Sequence, residues 1–167
     1  MVTTNLSNDF MAKVLEDAAW KELSGDFAWN EQLLEKCKDK VVWKTISGNS
    51  SILWTVSMLE KFKNRIDWEE ISSSSNEHLF TAENLEKYKN YWNWRELSRN
   101  SSLELTPAIL EQFADYWDWS EIIDCYGRDE LYNAEFLEKY QDRIPASVLQ
   151  RSRLWDKLVE DEKRQLK

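Results

Sequence analysis

A tryptophan recurs about every 25 residues along this chain, and this period limits the folds that the chain can adopt. Each one opens a similar phrase, WKELS, WKTIS, WEEIS, WRELS or WSEII, with an aliphatic residue three positions after the tryptophan. These anchor tryptophans are Trp20, Trp43, Trp68, Trp94 and Trp119. Because self-similarity at a fixed period of roughly 20 to 50 residues is the signature of repeat proteins, we predict five copies of one small repeat.

A second phrase follows each anchor phrase and has the pattern of a helix start. Its five versions are NEQLLEKC, TVSMLEKF, TAENLEKY, TPAILEQF and NAEFLEKY. The leading Asn or Thr is a good N-cap, because its side-chain oxygen accepts from a free N–H of the first helical turn. An apolar residue precedes each cap and a leucine follows it by four positions, which is a hydrophobic staple. Asp67, Asn93 and Asp118 are predicted to cap the anchor helices, with a glutamate three residues later as in a capping box.

Each repeat is therefore predicted to hold an anchor helix of one or two turns, a polar loop and a second helix of about three turns. The apolar residues of the second helix, such as Leu59, Phe62 and Ile66, recur at spacings of three and four and form one stripe. The anchor tryptophans are predicted to lie in the core. Since one helix pair does not bury its stripe alone, the predicted fold is all-α, with two-helix repeats stacked as an α-solenoid, or superhelix, that has helical caps.

A single repeat domain over residues 1–167 is predicted. Its parts are an N-terminal half-repeat cap, five anchored repeats and a C-terminal capping helix with a polar tail, at residues 1–19, 20–145 and 146–167. In the half-repeat, Leu6, Ser7 and Met11 take the staple, cap and leucine positions. Pro145 stands where the aspartate before an anchor is expected, so the regular pattern ends there.

Composition bears on location and on partners. The chain has 31 acidic and 22 basic residues and a net charge of −9, so a nonspecific nucleic-acid binder, which needs a field of Lys and Arg, is not expected. No run approaches the roughly 18 apolar residues of a membrane helix. Met1–Leu6 lacks the basic start and apolar stretch of a secretion signal. We expect a cytoplasmic protein with neither nucleic acid nor membrane as a partner.

Residues suited to catalysis are few. His78 is the single histidine and is expected in a solvated loop, so no histidine-based triad or multi-histidine metal site is predicted. Cys37 falls in an apolar column and is expected in the core. Cys125 is expected in a more exposed loop, and stacked helices would hold the two cysteines too far apart for a disulfide. We predict no enzyme, and no catalytic, metal-binding or cofactor-binding residues.

The phrase W-x-x-L/I-S-x-N is complete at Trp43–Asn49 and Trp94–Asn100, and an L-E-K-F/Y helix and D-W follow it. This pattern resembles the short tryptophan-rich helical repeats of many uncharacterised bacterial and giant-virus proteins. The resemblance covers roughly residues 6–145. It implies a repeat architecture and no known catalysis. The fifth repeat departs from the phrase, because residues 124–126 (Asp-Cys-Tyr) replace its polar loop.

One column of residues is not explained by helix packing. This flank column lies on the second helix beside the apolar stripe and consists of Lys40, Arg65, Tyr91, Tyr116 and Arg143. Tyr and Arg are enriched at protein interfaces, so the candidate partner-binding residues are Arg65, Tyr91, Tyr116 and Arg143. The alternative is that amphipathic side chains simply cover the edge of the core.

Two functions are compatible with these features. The leading hypothesis is a non-enzymatic scaffold that binds a protein or peptide through variable columns on a fixed frame. The alternative is an acidic inhibitor or immunity-type protein that blocks a basic, nucleic-acid-handling enzyme by presenting carboxylates where phosphates would bind. The glutamate column on the second helices is itself predicted to be a solvated face with local charge pairs. Its members are Glu35, Glu60, Glu86, Glu111 and Glu138.

Overall fold

The computed structural model describes residues 8–167, so the predicted staple Leu6 and cap Ser7 lie outside the described residues. Within residues 8–167 the chain forms twelve α-helices, one 3-10 helix at Glu77–Leu79 and no strand, which confirms the all-α prediction. The helices are α1 (Asn8–Asp26), α2 (Glu31–Cys37), α3 (Trp43–Ser47), α4 (Val56–Phe62), α5 (Trp68–Ser73), α6 (Ala82–Lys87), α7 (Trp94–Arg99), α8 (Pro107–Gln112), α9 (Trp119–Ile122), α10 (Ala134–Tyr140), α11 (Ala146–Leu149) and α12 (Arg153–Gln165).

The chain divides into two compact units, an N-terminal unit that ends at Ile71 and a C-terminal unit over Ser72–Lys167. The core of the N-terminal unit includes the fully buried side chains of Leu34, Ile46 and Trp54. The core of the C-terminal unit is built in the same way from leucines, isoleucines and aromatic rings of its helices. The fully buried leucines of that unit include Leu79, Leu85, Leu97 and Leu154.

Every second helix begins at its predicted cap. The cap side chain accepts a hydrogen bond from the N–H three residues later at Asn30, Thr55, Thr81, Thr106 and Asn133. These helices have six or seven residues, about two turns, and are shorter than predicted. The chain leaves α2 through a turn in which the N–H groups of Lys40 and Val41 both donate to the carbonyl of Cys37.

One of the two hydrogen bonds of the predicted capping box is present in the anchor helices. The side chains of Asp67, Asn93 and Asp118 accept from the N–H of the residue three positions later. The N–H of the cap residue itself, however, donates to a serine hydroxyl of the preceding repeat. These donors and acceptors are Asp67 to Ser47, Asn93 to Ser72 and Asp118 to Ser98, at 2.9, 3.0 and 2.9 Å. Each anchor helix is therefore attached by its first turn to the anchor helix before it.

In the N-terminal unit, α1 is one continuous helix through Trp20 and packs against α3. Ala19 stands where Asp67, Asn93 and Asp118 cap later anchor helices, and alanine favours helix continuation. The hydroxyl of Ser24 accepts from the N–H of Val42 at 2.9 Å. The amide of Asn49 donates to the carbonyls of Ser24 and Phe27, at 2.8 and 2.9 Å. The S-x-N of the repeated phrase thus connects consecutive repeats.

In the C-terminal unit, α7 packs against α9. The amide of Asn100 donates to the carbonyls of Ser72 and Ser74, both at 2.8 Å. The start of α12 docks on the end of α9, because the N–H of Leu154 donates to the carbonyl of Ile123 at 3.0 Å. The cap helix is thus joined to the last anchor helix by a backbone hydrogen bond, where earlier repeats use a serine hydroxyl.

The fifth repeat replaces this serine and asparagine by Ile123 and Cys125. The buried guanidinium of Arg128 takes over the role of the asparagine amide and donates to the carbonyls of Ser98 and Asn100. Asn100 itself donates to the carbonyls of Ser72 and Ser74, and Ser98 and Asn100 occupy the same two positions one repeat later. A longer side chain from further along the loop therefore makes the same connection.

Candidate functional site

The anchor tryptophans combine a ring in the core with a hydrogen bond at its edge. Trp119 is buried, whereas Trp43, Trp68 and Trp94 are half-buried, so the prediction of core burial holds fully only for the last of these four. Each indole N–H donates to a carbonyl at the end of the preceding second helix. The acceptors are Lys38, Lys63, Lys89 and Ala114, at 2.8, 2.9, 2.8 and 3.0 Å. Because a helix leaves its last carbonyls without internal partners, the indole caps the helix as it packs on it.

The flank column divides into arginines and tyrosines with different surroundings. In the N-terminal unit, Arg65 donates to the carbonyl of Lys38 at 3.0 Å and to the carboxylate of Asp39 at 2.9 Å. In the C-terminal unit, Arg143 donates to the carbonyl of Ala114 at 3.1 Å and to the carboxylate of Asp115 at 2.7 Å. Each arginine therefore shares a helix-end carbonyl with an anchor indole. These contacts within the fold match the alternative in which this column covers the edge of the core.

Tyr91 and Tyr116 take the same column in the C-terminal unit and are 40% and 41% exposed, about as much as the two arginine side chains. The ring of Tyr116 lies on Trp94, with centroids 4.9 Å apart. The ring of Tyr91 meets Tyr88 edge to face at 6.4 Å. Aromatic neighbours thus pack against both rings, and the rest of each ring surface is partly exposed.

The ammonium of Lys89 lies near one of these tyrosines, Tyr116. Lys89 donates to Glu86 at 2.6 Å, and that hydrogen bond is the main cause that raises the pKa of the Lys89 ammonium. The Tyr116 hydroxyl raises the pKa of Lys89 further through charge interaction. The surface around Tyr91 and Tyr116 thus combines partly exposed aromatic area with an ammonium near Tyr116, a combination suited to polar peptide segments.

The glutamate column is mostly paired, as expected for a solvated face. Glu35, Glu60 and Glu86 accept from the lysine three residues later, at 2.6, 2.8 and 2.6 Å. Glu111 accepts from Lys139 at 2.7 Å and from the hydroxyl of Tyr140 at 2.6 Å. The hydrogen bond from Lys139 is the main cause that lowers the pKa of Glu111, and the bond from Lys38 does the same for the pKa of Glu35. The column is thus largely neutralised by neighbouring cations.

The loop of the fifth repeat is buried, which corrects the expectation of an exposed Cys125. That thiol is 4% exposed and donates to the carbonyl of Arg99 at 3.2 Å. Burial raises its pKa, which disfavours the reactive thiolate. Tyr132 is also buried, with its hydroxyl 2.7 Å from the carbonyl of Ile122. Cys37, predicted in the core, is half-buried in the N-terminal unit, and both thiols are free. The features that distinguish this repeat therefore serve packing.

A groove of about 480 Å³ lies between α10 and α12 in the C-terminal unit. Its apolar lining includes Leu137, Trp155, Leu158 and Val159, and Glu138 and Glu162 stand among the polar lining residues. Sequence reasoning did not identify this groove, because it depends on where α12 docks. His78, as predicted, is exposed, and it lies in the 3-10 helix.

Among residues 8–167, no helix is long and apolar enough to cross a bilayer, and no cluster of His, Cys, Asp and Glu is arranged to hold a metal ion. Sequence reasoning missed Arg128 and the serine and asparagine contacts, although the repeated S-x-N phrase was their signal. Comparison with models of protein families, with curated proteins and with solved structures gives no significant match to this chain.

Proposed function

We propose that this chain is a non-enzymatic scaffold that binds a protein or peptide through the flank column. The observation that carries the proposal is the pair of exposed tyrosines, Tyr91 and Tyr116, at equivalent positions of consecutive repeats in the C-terminal unit. Tyrosine supplies a large contact area with few rotatable bonds and a polar hydroxyl, which suits it to binding hot spots. Two such residues in successive repeats favour an extended partner segment.

The frame for this surface is proposed to be an α-solenoid of the five repeats. Two kinds of contact support it. Anchor indoles cap the second helices in both units, and serine hydroxyls attach each anchor helix to the one before it. Contacts that recur between neighbours are what a stacked array requires. Such an array is also the architecture that the resemblance to tryptophan-rich repeats implies.

Arg65 in the N-terminal unit and Arg143 in the C-terminal unit are also proposed as partner-binding residues. Each arginine uses some of its N–H donors for hydrogen bonds within the fold, yet the side chains of Arg65 and Arg143 remain 41% and 42% exposed. A guanidinium carries five N–H donors, so some remain for a partner. We expect their replacement to weaken the fold as well as binding, which makes the two tyrosines the cleaner test.

The acidic-inhibitor alternative receives less support. Mimicry of phosphates needs carboxylates that are free to meet a basic enzyme, and four of the five members of the glutamate column already pair with cations. Its distinguishing property is sensitivity to salt. Exposed charges are screened within about 10 Å at 0.1 M salt.

The test is affinity capture with the full-length chain from cells that produce it, followed by mass spectrometry. The parent and Tyr126→Ala, which removes a ring that is 74% exposed outside the flank column, are expected to retain the same partner. The joint variant Tyr91→Ala and Tyr116→Ala is expected to lose it, since hot-spot truncation costs about 2 kcal/mol or more per residue. Circular dichroism checks that each variant is folded.

Retention of the partner by the folded double variant would reject the tyrosine surface. Capture by the parent that disappears when salt is raised, together with loss on Glu→Gln replacement along the glutamate column, would favour the inhibitor function instead.

A further inference from the structure

The last repeat leaves part of its second helix uncovered. Leu137 belongs to the leucine column, whose other members are at most 2% exposed: Leu34, Leu59, Leu85 and Leu110. Leu137 is only half-buried and lines the groove between α10 and α12. The face of α10 that would meet a following repeat is therefore open, with Trp155 and Val159 of α12 on its far side.

The N-terminal part of α1 carries a matching apolar surface. Met11, Val14 and Leu15 are 40%, 44% and 65% exposed. Their spacings of one, three and four residues place them on one side of the helix. By its position in the repeat, Met11 corresponds to the leucine column and Val14 to the column of Phe62. This part of α1 is thus the equivalent of a second helix, with the apolar face that second helices bury.

Ion pairs between consecutive second helices show which charged columns meet when one repeat packs on the next. In the N-terminal unit, Lys61 donates to Glu31 of the preceding second helix at 3.4 Å and also pairs with Glu35 of that helix at 3.8 Å. Lys139 pairs with Glu111 at 2.7 Å in the C-terminal unit. In both cases a member of the lysine column, two residues after the column leucine, meets a member of the glutamate column one repeat earlier.

Within the described part of the chain, one glutamate and one lysine of these two columns, Glu138 and Lys13, lack a partner of this kind on a neighbouring second helix. Glu138 is the last member of the glutamate column, and its carboxylate has no ion pair or hydrogen bond within residues 8–167. Lys13 occupies the lysine column of α1. It pairs with Asp17 on its own helix at 3.0 Å, with side chains 71% and 63% exposed, and such an exposed pair is weak and readily exchanged.

We propose that copies of this chain associate head to tail. The apolar side of α1 in one copy, with Met11, Val14 and Leu15, seats in the groove between α10 and α12 of the next copy. There Lys13 meets Glu138, as Lys139 meets Glu111 within the chain. An amphipathic helix in an apolar groove is a common mode of recognition. Because the two surfaces differ, the contact is heterologous and leaves one groove and one α1 free for further copies. This association does not depend on the flank column.

The first experiment measures the mass of the full-length chain by sedimentation over concentrations up to about 1 mM. The parent is expected to grow in mass with concentration. Val14→Asp and Val159→Asp are each expected to remain monomeric, because each buries a carboxylate in the contact. Val56→Asp, at a valine that is 40% exposed on neither surface, is the matched control and is expected to associate like the parent.

Mixing the variants tests the direction of the contact. Val14→Asp keeps an intact groove and Val159→Asp keeps an intact α1 surface, so the mixture is expected to form a 1:1 dimer that grows no further. A parent that stays monomeric at every concentration would overturn the proposal. Val159→Asp that associates like the parent would also overturn it, since that result marks a symmetric contact between two α1 helices.

Charge reversal tests the register without removing apolar surface. Lys13→Glu alone and Glu138→Lys alone are each expected to lower the association constant about tenfold, and the chain that carries both is expected to recover it. Failure of the double variant to recover, while both single variants weaken association, would reject the pairing of Lys13 with Glu138 on which the arrangement rests.

Discussion

At the scale of single residues, tryptophan is required at the anchors because two parts of its side chain have separate roles. The ring of Trp94 contacts Phe113, Tyr116 and Trp117, with centroids 5.3, 4.9 and 5.0 Å apart. Its N–H donates to the carbonyl of Lys89 at 2.8 Å. Phenylalanine would supply the ring alone, and no other apolar residue supplies both.

Trp94→Phe is therefore expected to lower the free energy of unfolding by about 1–2 kcal/mol, from one lost hydrogen bond and some lost contact area. Trp155→Phe is the control, since Trp155 is also half-buried and its indole makes no hydrogen bond within residues 8–167. Urea denaturation compares the two. Equal losses would mean that the indole hydrogen bond contributes nothing to stability.

Tyr132→Phe is expected to lower the free energy of unfolding by about 1–3 kcal/mol at neutral pH, because the buried N–H of Cys125 loses its acceptor at 3.1 Å. Burial, the main cause, raises the pKa of Tyr132 well above its ordinary value. A raised folded-state pKa adds stability that is present below about pH 10 and is lost as the pH rises further. Urea denaturation across this range should show a smaller alkaline loss in the variant than in the parent. An identical loss of stability at alkaline pH in both proteins would contradict burial of the Tyr132 hydroxyl in the folded state.

At the scale of elements, short helices persist because their ends are bonded to neighbouring repeats. Isolated helices below about 12 residues are marginal in water, yet the anchor helices α3, α7 and α9 have five, six and four residues. The hydroxyl of Ser98 donates to the carbonyl of Trp94 at 2.6 Å and accepts from the N–H of Asp118 at 2.9 Å. One serine thus completes the end of one helix and the start of the next.

Ser98→Ala is expected to lower the free energy of unfolding by about 1–3 kcal/mol, because a partly buried N–H is left without its acceptor. Ser101→Ala, at an exposed position in the loop after α7, is expected to change it by no more than about 0.5 kcal/mol. Thermal melts and urea titrations measure both. If the two substitutions prove equally mild, the serine contacts do not hold the anchor helices together.

At the scale of the whole molecule, the features that could be predicted from the sequence are those set by residues close together in the chain. Cap and staple are set within about five positions, so the starts of the second helices were predicted correctly, as at Thr106. The end of α8 was not, because the carbonyl of Ala114, two residues beyond the helix, accepts from Trp119 and Arg143 of the next repeat. Arg128 was missed for the same reason: its acceptors lie 28 and 30 residues away.

The candidate site was predictable only in part. Periodicity placed Arg65, Tyr91, Tyr116 and Arg143 in one column, but it did not reveal that the arginines bond to neighbouring repeats while the tyrosine rings pack on aromatic neighbours. That difference depends on acceptors such as Asp39, which come from another repeat. The groove beside α12 likewise depends on how a non-repetitive segment docks.

If the repeats are equivalent, the chain should tolerate deletion of residues 94–118, which is one whole repeat. In the shortened chain Asn93 would precede Trp119, and Arg128 would face the carbonyls of Ser72 and Ser74 that Asn100 now holds. Because each repeat contacts only its neighbours, the shortened chain is expected to stay helical by circular dichroism and to unfold in one cooperative transition. Deletion of residues 94–106, half a repeat, is expected to abolish cooperative unfolding. An unfolded whole-repeat deletion, or equal folding of both deletions, would contradict the equivalence of the repeats.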